Sequence, residues 1–114
     1  MTPAQQTHLN LDASENWPTE KALQKCAMRW LRSQGALCLH MSGFFSSAAG
    51  WPDIIGLAPS GRLLLIELKR AAGKLRPAQE GFITKAAQAG HTVHVCRTMR
   101  EVMTAFAGLY EAQP

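Results

Sequence analysis

Gly50-Trp51-Pro52-Asp53-Ile54-Ile55-Gly56-Leu57-Ala58-Pro59-Ser60-Gly61-Arg62-Leu63-Leu64-Leu65-Ile66-Glu67-Leu68-Lys69 is the stretch from which the architecture of this 114-residue chain can be read. Pro59-Ser60-Gly61 has turn chemistry between two apolar runs, which predicts an antiparallel hairpin of Asp53–Ala58 and Arg62–Lys69. The second run is apolar at nearly every position, so it reads as a central strand covered on both faces. Charge sits only at the ends. Asp53 opens the first strand, and Glu67 and Lys69 close the second. Side chains alternate along a strand, so Glu67 and Lys69 share a face about 7 Å apart. Charge at the end of a buried strand is costly unless it is paired, hydrated or bound to a cation, and that cost marks the hairpin as a candidate site.

Upstream, Pro18-Thr19-Glu20 starts a helix, with Thr as a competent cap and Pro suited to the first turn. Leu23, Ala27, Trp30, Leu31 and Gln34 follow its apolar face, and Gly35 stops it. Its other face carries Lys21, Lys25, Arg29 and Arg32, which reads equally as a solvated face or a phosphate-tracking one. Ala36–Met41 is a short first strand, followed by a loop containing Phe44 and Phe45. Two adjacent Phe residues in a Ser/Gly/Ala loop point to core or subunit contact, with base stacking as a third role.

Downstream of the hairpin, Arg70–Arg76 is basic. Pro77 opens a second helix that ends at Gly90, with Phe82, Ile83, Ala86 and Ala87 inward. Gly81 inside it is explained if the helix packs closely on the sheet. His91–Arg97 alternates as a fourth strand, parallel to its neighbour because a helix crosses over between them. Thr98-Met99-Arg100-Glu101 is a capping box, and the last helix buries Val102, Ala105, Phe106 and Leu109. The order α-β-β-β-α-β-α makes this an α/β domain with a mixed central sheet of about four strands and helices on its faces. Residues 1–17 are expected to be a mobile N-terminal arm, and 18–114 one domain.

Net charge is +4, which favours an anionic partner, nucleic acid first. Three cysteines without CxxC spacing argue against a zinc site or a disulfide framework and for a reducing, intracellular compartment. No apolar run approaches the ~18 residues of a membrane span. The four histidines do not form a ligand set, although His40 lies near the end of the first strand.

Two carboxylates brought together repel unless one is protonated or a cation sits between them. Mg²⁺ prefers hard oxygen ligands, with Mn²⁺ as a substitute. Asp53, Glu67 and the backbone carbonyl of Leu68 can supply three. Lys69, on the face of Glu67, can hold or help deprotonate an attacking water, which suits phosphodiester hydrolysis.

Pro52-Asp53, a 13-residue gap and Glu67-Leu68-Lys69 together resemble the PD-(D/E)xK nuclease signature. The fuller pattern is similar to its virus-type replication–repair nuclease branch, VRR-NUC. That branch has an early helical Glu (Glu20), Gly-x-Pro-Asp (Gly50 to Asp53), Glu-x-Lys and Gly-x-x-x-Pro-x-Gln (Gly73, Pro77, Gln79). The resemblance spans roughly residues 18 to 105 and implies a restriction-endonuclease-like core. It also implies that Asp53, Glu67 and Leu68 hold the metal and Lys69 serves the water. Gln79 then reaches back to orient that water or the scissile phosphate, and Glu20 faces the metal directly or through water. By position alone, Gln79 is an exposed first-turn residue and Glu20 a helix-dipole partner. Arg76 stands before Pro77 where a small capping hydroxyl is more usual.

The function implied is a Mg²⁺-dependent, structure-specific DNA endonuclease acting on branched DNA such as four-way (Holliday) junctions. Stand-alone members of the branch resemble phage and prophage proteins, which implies a bacterial or phage-infected cytoplasm, and similar domains resemble dimeric resolvases. A homodimer would join through the Phe44-Phe45 loop and the N-terminal arm. Lys21, Lys25, Arg29, Arg70, Lys74, Arg76 and Lys85 are the expected DNA contacts. Two readings stay open beside this one: a non-cleaving DNA-binding or repair accessory module, and a restriction-type or flap endonuclease.

Overall fold

The computed structural model describes Glu15, residues 17–41 and residues 50–110. Helix α1 (Glu20–Ser33) begins where Thr19 Oγ1 accepts a hydrogen bond from Ala22 N at 3.0 Å. It stops at Gly35, whose φ of 90° is left-handed backbone that favours glycine. Four strands follow the predicted order: β1 (Leu37–His40), β2 (Ile54–Leu57), β3 (Leu63–Leu68) and β4 (His94–Cys96). Helix α2 (Pro77–Gln88) crosses between β3 and β4, and α3 (Met99–Ala107) closes the domain. The sheet runs β1-β2-β3-β4. The β1–β2 and β2–β3 pairs are antiparallel, and β3–β4 is parallel. The α/β class and the hairpin are therefore as the sequence predicts. The fourth strand is shorter than expected, because only Ile66, Glu67 and Leu68 of β3 meet it.

Residues paired across a ladder share a face. Ile54, Leu64, Ile66, Leu68 and Cys96 face α1 and α3 and form the core with Leu23, Ala27, Leu31, Met99, Val102 and Phe106. Trp30 meets Phe106 edge-on at 5.4 Å. Each fully buried large side chain there contributes roughly 1.5–3 kcal/mol. Thr98 Oγ1 accepts from Glu101 N at 3.1 Å and so starts α3 as expected. Glu15 also serves that helix end, its carboxylate accepting from Met99 N, and Trp17 packs against the core.

The opposite face carries Leu37, Leu39, Ile55, Leu57, Leu65, Glu67 and Val95. Helix α2 covers only part of it. Phe82, Ile83 and Ala86 are half-buried, while Ala87 is exposed, which corrects its inward placement. Gly81 has nothing within 4 Å of where a Cβ would stand, so close packing does not explain that glycine. The close approach is made elsewhere. A Cβ on Gly50 would lie 2.0 Å from the carbonyl oxygen of Ala78 in the first turn of α2. Trp51 then lies on Phe82, ring centres 4.6 Å apart.

Candidate active site

Asp53 stands just before β2, where the β2–β3 ladder ends. Its Oδ2 accepts from Leu68 N at 2.7 Å, so a side chain substitutes for a backbone acceptor at the last residue of β3. The same parity that puts Leu65 on the α2 face puts Glu67 there. Glu67 is 3% exposed. Its Oε1 accepts from Gln79 Nε2 at 2.9 Å and lies 3.9 Å from Lys69 Nζ. Its Oε2 is buried and has no hydrogen-bond partner.

The electrostatics follow from this crowding. Burial pushes the Glu67 carboxyl up to about 8. The neighbouring Asp53 carboxylate adds to the rise, Lys69 opposes it, and Glu20 contributes a smaller rise. Without a cation, these surroundings favour the protonated form of Glu67. A buried carboxylate oxygen without a partner, beside a second carboxylate, fits a hard divalent ion that takes oxygen ligands. The oxygens that could hold one are those of Asp53, Glu67 and the Leu68 carbonyl at the strand end. Among the described residues no three His, Cys, Asp or Glu side chains converge on one point. Glu20 is exposed in the first turn of α1 and reaches Glu67 through its charge.

Gln79 is not the exposed first-turn residue its position suggests; it is 3% exposed. Its amide is used at both ends, donating to Glu67 and accepting from Arg76 N through Oε1 at 2.8 Å. The second bond caps α2. Arg76 has no acceptor to offer the first-turn amides, so Gln79 supplies only the reciprocal half of a capping box, taking the N–H of the cap residue itself. Gly50, with φ 75° and Ala78 against it, brings the Pro52-Asp53 turn and the start of α2 together. Thus Gly50 sets the distance between the elements that carry Asp53 and Gln79.

The basic residues form two groups. Lys21, Lys25 and Arg29 are exposed on α1, and Arg70, Lys74 and Arg76 are exposed on the segment between β3 and α2. Lys85 lies in the last turn of α2, about 9 Å of helix rise beyond Gln79. Sequence reasoning missed Arg97. Its Nη1 donates to the carbonyls of Arg70 and Gly73, at 2.6 and 2.7 Å, and pins the basic segment that follows Lys69. No local pattern announces that role, because it arises only when β4 is laid beside β3. The Phe44-Phe45 loop and residues 1–14 lie outside the described residues. Among the described residues, no helix is long and apolar enough to cross a membrane.

The model of the VRR-NUC domain family matches residues 6–100. Two solved structures share the fold. One, described as a VRR_NUC domain, is 24% identical with a TM-score of 0.67 over 80% of this chain and 97% of its own. The other, a VRR_NUC domain protein, is 23% identical with a TM-score of 0.65 over 87% of this chain and 95% of its own. No curated protein matches. With the motif residues gathered at one end of the sheet and the family model spanning most of the sequence, the chain belongs to the VRR-NUC family, a nuclease family of the PD-(D/E)xK type.

Proposed function

We propose that this protein is a Mg²⁺-dependent, structure-specific DNA endonuclease that acts as a homodimer on branched DNA such as four-way junctions. The observation that carries the reading is the buried Glu67 carboxylate beside the half-buried Asp53, with Glu67 Oε2 unpartnered and Lys69 Nζ 3.9 Å from the other oxygen. Asp53, Glu67 and the Leu68 carbonyl would hold the cation, with Glu20 acting through water. When bound, the cation offsets phosphoryl charge and lowers the pKa of water.

The chain's own residues do the rest. Gln79 is a positioning residue that fixes the Glu67 carboxylate. Leu68 N fixes Asp53. Lys69 Nζ holds the attacking water in line with the scissile phosphorus. A P–O bond forms to that water as the water gives up a proton to solvent and the bond to the departing sugar oxygen breaks, and the departing oxygen takes up a proton from solvent. Arg70, Lys74 and Arg76 contact phosphates on one side of the site, Lys21, Lys25 and Arg29 on the other, with Lys85 farthest out. A dimer suits a four-way junction, because two sites related by a twofold axis cut two symmetric strands. Leu37 and Leu39, 73% and 55% exposed on the sheet face that α2 leaves open, support such a contact.

The test is cleavage of a panel of four-way junction, flap, splayed arm, duplex and single strand in Mg²⁺, Mn²⁺ and EDTA. Wild type should cut the junction best and only with metal. Glu67→Gln and Lys69→Ala should lose at least about 100-fold in rate while still binding DNA. Full activity in either variant, or in EDTA, would sink the mechanism.

A further inference from the structure

Between α1 and the end of β1 lies a groove of about 620 Å³ lined by Lys21, Gln24, Lys25, Met28, Arg29, Arg32 and His40. Four of these residues are cations, and none is an acid. Among the described residues the single ion pair is Lys69–Glu67, so none of the four has a carboxylate partner there. Arg32 reaches over to β1, with Nη2 donating to the Cys38 carbonyl at 3.4 Å. The cations follow one another at intervals of four, four and three residues. At 1.5 Å per residue they run for about 16 Å along the helix. That length faces about five phosphates of one duplex strand at its 3.4 Å rise.

The groove also has a direction. Lys21 adjoins Glu20, whose charge reaches Glu67. His40 ends β1 beside the site, where Met41 N donates to the Asp53 carbonyl at 2.7 Å. The row of cations therefore starts at the catalytic carboxylates and leads away from them, toward Arg32 at the far end of α1. We propose that the α1–β1 groove seats the backbone of the DNA strand flanking the cleaved bond, with Arg32 and His40 as phosphate contacts beyond those already named, so that efficient cleavage requires DNA extending along α1. The inference rests on the nuclease reading above. Its partner follows from regular cation spacing, the absence of acidic lining and continuity with the site. Met28 and Gln24 give the floor an apolar and an amide surface, which can pack on sugars without reading base identity.

The test separates binding from cutting. The affinity of wild type, Arg29→Gln/Arg32→Gln and Lys21→Gln/Lys25→Gln for a labelled junction is measured in Ca²⁺, without turnover, across a NaCl series. Each double variant should lower the slope of log K against log salt by about 1.8, two contacts at about 0.9 each, and weaken binding about tenfold or more at physiological salt. Arg29→Lys/Arg32→Lys should restore the slope. In Mg²⁺ the glutamine variants should raise KM with kcat changed less than about twofold. Trimming the DNA arm on one side of the cut by five base pairs should raise KM for wild type but not for Arg29→Gln/Arg32→Gln. Unchanged slopes and affinities in both double variants would overturn the groove. So would a kcat loss with KM unchanged, or equal sensitivity to trimming in wild type and variant. If the double variants show the predicted slope changes but wild type cuts nothing, the groove stands and the nuclease reading fails.

Discussion

Glu67 concentrates the chemistry of this domain in one side chain. One oxygen is fully engaged by Gln79 and approached by Lys69, while the other is buried with no partner. Its carboxyl is pushed up from 4.5 to about 8, by burial first and by Asp53 second. A carboxyl raised in the folded state favours folding while it is protonated. That contribution is fully present below pH 4.5, where both states hold the proton, and is lost as pH rises through about 8. A cation that takes the ionised form reverses the trend, because it binds the folded state only. In EDTA, the melting temperature of wild type should therefore fall between pH 5.5 and 8.5 more steeply than that of Glu67→Gln. The stabilisation by millimolar Mg²⁺ should be larger at pH 8.5 than at pH 5.5, and should vanish in Glu67→Gln. Calorimetry that shows parallel pH profiles for the two proteins would refute this account of the pair.

At the scale of elements, the decisive contact joins a turn to a helix rather than a strand to a strand. Helix α2 buries little apart from Gln79, so apolar burial alone holds it weakly. Gly50 against Ala78, Trp51 on Phe82 and Gln79 on Glu67 supply its position. Gly50→Ala would place a methyl 2.0 Å from the Ala78 carbonyl oxygen, at a φ of 75°. The turn and the helix must separate, and Glu67 loses its Gln79 clamp. A displacement of about 1 Å is worth roughly 100-fold in rate. Gly61→Ala is the matched control. Its φ of 88° carries similar backbone strain, but nothing lies within 4 Å. Both variants should lose about 1–3 kcal/mol of stability from strain, and only Gly50→Ala should lose cleavage by about 100-fold. Wild-type kcat in Gly50→Ala would remove the turn–helix contact from the mechanism. This contrast also marks what could be read in the sequence. The hairpin was legible because Pro59-Ser60-Gly61 and two apolar runs are local signals. The approach of Asp53 to the end of β3 was legible because motif spacing survives in one dimension. The burial of Gln79, the exposure of Ala87 and the role of Arg97 were not, because each depends on a partner supplied by a distant element.

Across the whole molecule, the two faces of the sheet are unequal. One is closed by α1 and α3. On the other, α2 leaves Leu37, Leu39 and Leu57 exposed at 73%, 55% and 44%, on β1 and its neighbour β2. An edge strand that presents leucines without a guarding Lys or Pro invites pairing, and proteins normally cover or charge such edges. Three leucines fall short of the roughly 800 Å² per partner that a stable interface buries, so a dimer here must recruit surface beside them. The proposed homodimer uses this face, and its removal should separate assembly from chemistry. Leu37→Lys/Leu39→Lys should convert a dimer to a monomer in sedimentation at micromolar concentration. The proposed metal site lies at the far end of β3 and should still nick a splayed duplex at near wild-type rate. On a four-way junction the variant should release singly nicked intermediates, where wild type makes paired cuts within one binding event. A monomeric wild type in the same experiment, or paired cutting by a monomeric variant, would rule out the twofold arrangement and leave each chain to act alone.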